Sequence, residues 1–246
     1  MKIVGVIPAR YKSTRFEGKP IVDICGKPMI WWVYQQVKHV SRIAEIYVAT
    51  DDVRIEKVCE QYGLNYISTR NNHPDHISRI QEVSESISAD YYICVNGDEP
   101  LVDPISIEKV IPLESYDEIY FGGAMRDLLN PAETIDFSNI KLVISNNNRC
   151  IYMSRSPVPY PRGTLLFNYK KYIGIECFNK KALDFFVNTE YGMIERIEDI
   201  DHLRFIENGI PLYFTIMQSD SISVDTPKDL EKVKQIISKR IENGNS

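Results

Sequence analysis

Short apolar, β-branched runs alternate with segments of helical period along the first hundred residues. Residues 2–7 (KIVGVI) read as a strand buried on both faces. Residues 28–40 open on Pro28, suited to a first helical turn, and continue as an amphipathic helix. Residues 45–49 form a second strand, closed by Thr50, Asp51 and Asp52, and residues 53–62 form a helix that Gly63 terminates. A short strand is expected over 64–68. A helix follows over 77–88, with Ile77, Ile80, Val83 and Ile87 on one stripe, and then a buried strand over 91–95 that ends in Asn96-Gly97-Asp98. Such alternation means βαβ units on a parallel sheet with right-handed crossovers. Ligands on these sheets bind beyond the carboxyl ends of the strands, which gathers residues 8–19, 50–52, 69–76 and 96–100 along one edge.

The second half is less regular. Strands are expected over 119–126, 139–145, 149–154, 172–178 and 212–217, and helices over 180–188, 193–208 and, opened by Pro227, 227–241. Residues 156–168 carry Pro157, Pro159 and Pro161 with no period and read as a loop. No internal repeat, low-complexity run or linker breaks the chain. The simplest account is one α/β domain, 1–246, with a smaller subdomain inserted near 120–180.

Composition narrows the class of partner. The chain is 43% hydrophobic and 26% charged, a globular rather than a disordered balance. A formal charge of −5 argues against a protein built for nucleic-acid backbones, yet a few local cations suffice for a small anion. The 5 cysteines are an odd number without a close pair, so neither a disulfide framework nor a zinc spacing emerges. No apolar stretch approaches the ~20 residues needed to span a bilayer. A soluble cytoplasmic protein is expected, with no nucleic-acid partner and no membrane insertion.

Three motifs carry candidate chemistry. The loop from Pro8 and Ala9 to Pro20 packs Arg10, Lys12, Arg15 and Lys19 around Ser13, Thr14 and Gly18. Free backbone N–H groups at a strand end and a group of cations suit a polyphosphate, although the Walker spacing is absent. Asp98, in Asn96-Gly97-Asp98-Glu99-Pro100, is either a hard-oxygen ligand for Mg²⁺ or the anchor of a turn or cap. Asp225 either caps the Pro227-led helix or faces Asp98 across the crevice, in which case the pair holds one magnesium. His39, His73, His76 and His202 are scattered without metal-ligand spacing.

Taken in order, IPARYKSTRFEGKP (7–20), DICGKPM (23–29), VATD (48–51), NGDEP (96–100) and VDTPKDL (224–230) resemble the 3-deoxy-manno-octulosonate (Kdo) cytidylyltransferases, within the CMP-sugar-acid synthetases. The resemblance implies a nucleotidyltransferase-type, Rossmann-like α/β fold with a mostly parallel sheet flanked by helices. It also implies a homodimer joined through the inserted subdomain, which contributes to the acceptor site. The implied reaction joins CTP to a small acidic acceptor with Mg²⁺ and releases pyrophosphate. Carried over by position, Pro8, Ala9, Arg10, Ser13, Arg15, Lys19, Arg70 and Asn96 bind the nucleotide, and Arg15, Lys19 and Asp98 are catalytic. Asp98 and Asp225 hold the metal, and Arg79, Arg155, Tyr172, Asp201 and His202 stand on the acceptor side.

Departures from the family cluster on that acceptor side. The family's Gln-Ser-Gly-Thr-Glu-Arg stretch retains only Arg79, its Gln-Gly-Asp is Asn96-Gly97-Asp98, a His is Tyr172, and Glu-Gln-Leu-Arg is Asp201-His202-Leu203-Arg204. A site built around particular hydroxyls loses heavily when its partners change type. An acceptor other than ordinary Kdo therefore enters as an alternative, either an amino-substituted sugar acid or a phosphonate. Sugar-1-phosphate uridylyl- or guanylyltransfer lacks its Ala-Gly-Gly loop here. A nucleotide binder without turnover has little need of both Asp98 and Asp225.

Overall fold

The computed structural model describes residues 1–12, 16–218 and 221–243. Two compact units emerge, residues 1–108 with 219–246, and residues 109–218. The inserted segment is therefore wider than the expected 120–180.

The first unit runs β1 (Ile3–Ala9), a 3₁₀ turn (Lys19–Ile21), a hairpin of β2 (Asp23–Ile24) and β3 (Lys27–Pro28), α1 (Met29–Lys38), β4 (Glu45–Thr50), α2 (Val53–Tyr62), β5 (Tyr66–Ser68), α3 (His76–Ser86) and β6 (Tyr91–Val95). The helix α4 (Pro104–Val110) follows. Strands β6, β1, β4 and β5 lie side by side in that order, all parallel. Val4, Val6 and Ile7 are fully buried, which is why β1 carries an unbroken apolar run rather than an alternating one. Pro28 stands one residue before its expected place. It pairs in the hairpin, and its extended backbone caps α1, which starts at Met29.

Helix ends put the sheet edge in order. The Asp52 carboxylate accepts from the Arg54 N–H to start α2, and Gly63, at φ 64°, closes it in the left-handed conformation that a Cβ disfavours. Asp75 likewise caps α3 through the Ser78 N–H. Gly97, after β6, answers to close approach: a Cβ there would stand 3.0 Å from the Pro8 carbonyl oxygen.

The second unit holds β7 (Phe121–Leu128), α5 (Pro131–Ile135), β8 (Lys141–Ile144), β9 (Cys150–Ser154), β10 (Tyr169–Asn179), α6 (Lys180–Asn188), α7 (Met193–Glu198), α8 (Leu203–Glu207) and β11 (Tyr213–Ile216). Its strands follow the order β11, β7, β10, β8, β9, with β11 parallel to β7 and the other pairs antiparallel. The helix expected over 193–208 is two. Asp199 turns left-handed at φ 53°, and Arg155 donates to the carbonyls of both Glu198 and Asp199, satisfying the broken end. Elements α4 and α5 span 7 and 5 residues, too short to display a helical period.

The chain returns to the first unit in α9 (Pro227–Glu242). Its cap is Thr226, not Asp225. The Thr226 hydroxyl accepts from the Asp229 N–H, and the Asp229 carboxylate accepts in return from the Thr226 N–H. Thr226→Ala is expected to lower stability by about 1 kcal/mol, read by urea unfolding. Among the described residues no helix is long and apolar enough to cross a membrane.

Candidate active site at the carboxyl edge of the first sheet

The parallel sheet brings the ends of β1 and β6 together, and the start of α9 joins them. A cavity of about 460 Å³ opens there, ample for a nucleotide. Pro8, Ala9, Arg10 and Lys12 form its β1 side, while Asn96, Gly97 and Asp98 form its β6 side. Lys19, Pro20 and His76 complete it. His76 had no role in the sequence reading. The cap at Asp75 is the local signal, because it makes His76 the first residue of α3.

Lys19 organises the mouth. Its ammonium donates to Asp98 Oδ2 at 2.6 Å and to Asp225 Oδ1 at 3.5 Å. Two residues 127 positions apart in the chain thus share one cation. Asp225 is released for this because Thr226 takes over the cap, and the Val224 N–H donates to the Asp98 carbonyl at 2.9 Å, holding the two segments together. The other Asp98 oxygen, Oδ1, is buried and has no hydrogen-bond partner among the described residues. An orphaned carboxylate oxygen is costly unless something completes it. With a second carboxylate at the same ammonium, the oxygen donors fit a hard divalent cation, which takes one or two carboxylates and leaves its other positions to phosphate and water.

Of the remaining nucleotide candidates, the structure brings Arg10 and Asn96 to the cavity. Arg10 lines it and donates to the Pro74 carbonyl at 3.5 Å. Asn96 lines it too. Arg70 is largely exposed and pairs with Glu82 at 3.4 Å. Burial pushes the Glu82 carboxyl up, but hydrogen bonds from the His73 ring and the Arg70 N–H, with the charges nearby, outweigh it and hold the group below its usual range. Ser13 and Arg15 lie outside the described residues. On either side of them the Gly18 N–H donates to the Tyr11 carbonyl at 2.9 Å, and the Arg54 guanidinium stacks 3.2 Å from the Tyr11 ring centre.

The acceptor candidates have structural duties that the sequence does not reveal. Arg79 is 1% exposed; it donates to the Thr69 hydroxyl and pairs with Asp51 at 3.2 Å, and burial lowers its pKa. It braces the ends of β4 and β5 from inside rather than presenting a charge to solvent. Arg155, in the second unit, spends its guanidinium on the carbonyls of Phe137, Glu198 and Asp199. Both arginines, expected on the acceptor side, are thus held by protein partners. Asp201 opens the turn into α8, its carbonyl accepting from the Arg204 N–H.

Tyr172 and His202 meet on a carboxylate. An irregularity in β10 between Ile173 and Glu176 puts Tyr172 and Glu176 within reach of each other, so the tyrosine hydroxyl donates to Glu176 Oε1. His202 Nε2 approaches the same oxygen at 2.5 Å, and Glu176 is fully buried. Sequence reasoning missed Glu176, because the irregularity that pairs residues four apart along a strand has no local signature.

A family model described as cytidylyltransferase matches residues 4–236. The 3-deoxy-manno-octulosonate cytidylyltransferase of Escherichia coli is 36% identical to this chain over 240 residues, 98% of each. An 8-amino-3,8-dideoxy-manno-octulosonate cytidylyltransferase of Shewanella baltica (strain OS195) is 37% identical over 243 residues, 96% of this chain and 98% of that one. Among solved structures, CMP:2-keto-3-deoxy-manno-octonic acid synthetase complexed with CTP superposes with a TM-score of 0.90 at 35% identity, over 98% of this chain and 100% of that one. A putative glucose-1-phosphate thymidylyltransferase from Bacillus anthracis, 13% identical with a TM-score of 0.66 over 95% and 94% of the two chains, shares the fold alone.

Proposed function

The chain belongs to the cytidylyltransferase family and is a nucleotidyltransferase, and from that premise we propose that it transfers CMP from CTP to Kdo or a Kdo-like sugar acid, with Mg²⁺ at Asp98 and Asp225. The observation that carries the site assignment is the Lys19 ammonium shared by Asp98 and Asp225 beside the orphaned Asp98 Oδ1.

An acceptor hydroxyl attacks the α-phosphorus in line and pyrophosphate leaves, so positioning and charge neutralisation carry most of the rate. Arg10, Lys12 and Lys19 supply positive charge in the cavity and oppose the charge that builds on the leaving pyrophosphate. Backbone groups at Pro8 and Ala9 and the amide of Asn96 line the same cavity and orient the nucleotide. A divalent cation bound there neutralises the phosphate oxygens and lowers the pKa of the attacking hydroxyl. Ser13, Arg15 and Arg70 extend the grip on CTP.

Tyr172 and His202, tied to Glu176, together with Asp201, are the acceptor-side residues of this reading. They differ in type from the Kdo pattern, which keeps an amino-substituted octulosonate beside Kdo as acceptor. The experiment is pyrophosphate release from CTP and Mg²⁺ with Kdo, 8-amino-3,8-dideoxy-manno-octulosonate and a phosphonate. Turnover with one or both octulosonates is expected. Release with the phosphonate alone, or with none of the three, overturns the assignment. We further assign a homodimer formed through the second unit, where Phe137, Leu165 and Leu166 stand exposed, and sedimentation equilibrium checks its mass. The cytoplasm, as the compartment that supplies CTP, is the location this reading implies.

A further inference from the structure

Glu99 follows the metal-site aspartate directly, yet its side chain turns the other way, into the protein. It is 5% exposed. Its carboxylate accepts from the Ser221 hydroxyl at 2.7 Å and from the Ser223 hydroxyl, residues 122 and 124 positions later in the chain. The Val224 N–H adds its bond to the Asp98 carbonyl, so the strip 221–224 is fastened to the β6 turn at three points. Asp225 is the next residue. Val224 is fully buried in the cluster with Ile24, Met29, Leu101 and Leu230, which fixes the strip from its other side.

Hydrophobic packing alone does not require an acid at position 99. A buried carboxylate is costly, and an apolar side chain would fill the same place without that cost. Its acceptors are used on two hydroxyls whose strip ends at the second metal-site carboxylate. The geometry points to Glu99 as a positioning residue that sets the reach of Asp225 toward Asp98, through Ser221 and Ser223. Glu99 is not among the residues that line the cavity. It fixes the separation of two oxygen donors, to which a small cation with strict octahedral demands is sensitive.

This inference rests on the reading of Asp98 and Asp225 as a metal pair, and its test separates the two. Mn²⁺ binding is measured by electron paramagnetic resonance on the full chain in the presence of CTP, without acceptor, for the wild type, Asp225→Ala, Glu99→Ala and Glu99→Gln. Binding of CTP in EDTA is measured in parallel. Expected is a Mn²⁺ affinity about ten- to a hundredfold weaker in Glu99→Ala. Glu99→Gln restores part of it, since the amide oxygen still accepts one hydroxyl. Metal-free CTP binding stays near the wild-type value. A general loosening of the fold would instead weaken metal-free CTP binding as much as Mn²⁺ binding, and that result overturns the proposal. If Asp225→Ala weakens Mn²⁺ binding and Glu99→Ala does not, the positioning role falls and the metal pair stands. If Asp225→Ala leaves Mn²⁺ binding unchanged, both fall. Should Glu99→Ala fail to fold, Ser223→Ala removes one strut of the same clamp and is held to the same outcomes.

Discussion

Asp98→Asn is expected to lower turnover about a thousandfold while leaving the protein folded. The amide keeps the size of the carboxylate and preserves the Asn96-Gly97-Asp98 turn, where Gly97 already packs against the Pro8 carbonyl. It removes the charge that holds the Lys19 ammonium at 2.6 Å and puts an NH₂ group at one of the two oxygen positions. With the buried Oδ1 as a metal ligand, the loss appears in two readings at once. Steady-state pyrophosphate release falls, and raising Mg²⁺ recovers it only in part. Mn²⁺ affinity in the presence of CTP falls as well. Turnover within about threefold of the wild type would remove Asp98 from the metal site altogether. If Asp98 were only the anchor of a turn, the amide would serve nearly as well, so the size of the effect decides between the two roles the sequence left open.

The parts of this picture that were legible in the sequence are those whose cause is local. The buried run of β1, the helix from Val53 to Tyr62 and its closure by Gly63 each follow from a few consecutive residues; the helix and its closure stand where they were expected, and the strand runs two residues further, through Pro8 and Ala9. The basic loop after β1 and the carboxylate after β6 could be placed on one edge because parallel-sheet topology demands it. What was not legible depends on residues distant in sequence. Whether Asp225 caps a helix or faces Asp98 turns on Thr226 and Asp229 forming the cap themselves. The inward turn of Glu99 is visible only once Ser221 and Ser223 lie against it. Arg79 and Arg155 bear the same positive charge whether they bind a ligand or brace a loop, and the partners that hold them, Asp51, Thr69 and the carbonyls of Phe137, Glu198 and Asp199, have no signature in the sequence around them. The division at Asp199 was hidden for another reason. The apolar spacing continues through it, and the break comes from a left-handed residue that aspartate tolerates better than most.

Lys19→Met is expected to move two measurements in opposite directions. Turnover falls about a hundred- to a thousandfold, because the cavity loses a cation that the proposed reading sets against the triphosphate. Mn²⁺ binding to the nucleotide-free protein becomes tighter. The reasoning is electrostatic. In this structure the ammonium serves Asp98 and Asp225 as their counter-ion, so an incoming divalent cation must displace it or bind beside it. Two unit charges 4 Å apart interact by about 1 kcal/mol in bulk water and about 4 kcal/mol at an effective dielectric constant of 20. These side chains are 15%, 23% and 36% exposed, so the relief lies between those limits. Those limits correspond to affinity gains of roughly fivefold and roughly a thousandfold, and the expected gain lies between them. Methionine keeps the length and the apolar stem of lysine while removing the charge, which limits the response to packing. Asp98→Asn loses both turnover and metal affinity, whereas Lys19→Met loses the first and gains the second. Isothermal titration of Mn²⁺ into the two variants reads the difference directly. A weaker affinity in Lys19→Met would mean that the lysine helps to build the metal site, and the counter-ion account would fail. With that opposition observed, the lysine becomes the group exchanged between carboxylates and triphosphate as CTP and metal enter together, which gives the enzyme a reason to hold the two aspartates apart from solvent cations until the nucleotide arrives.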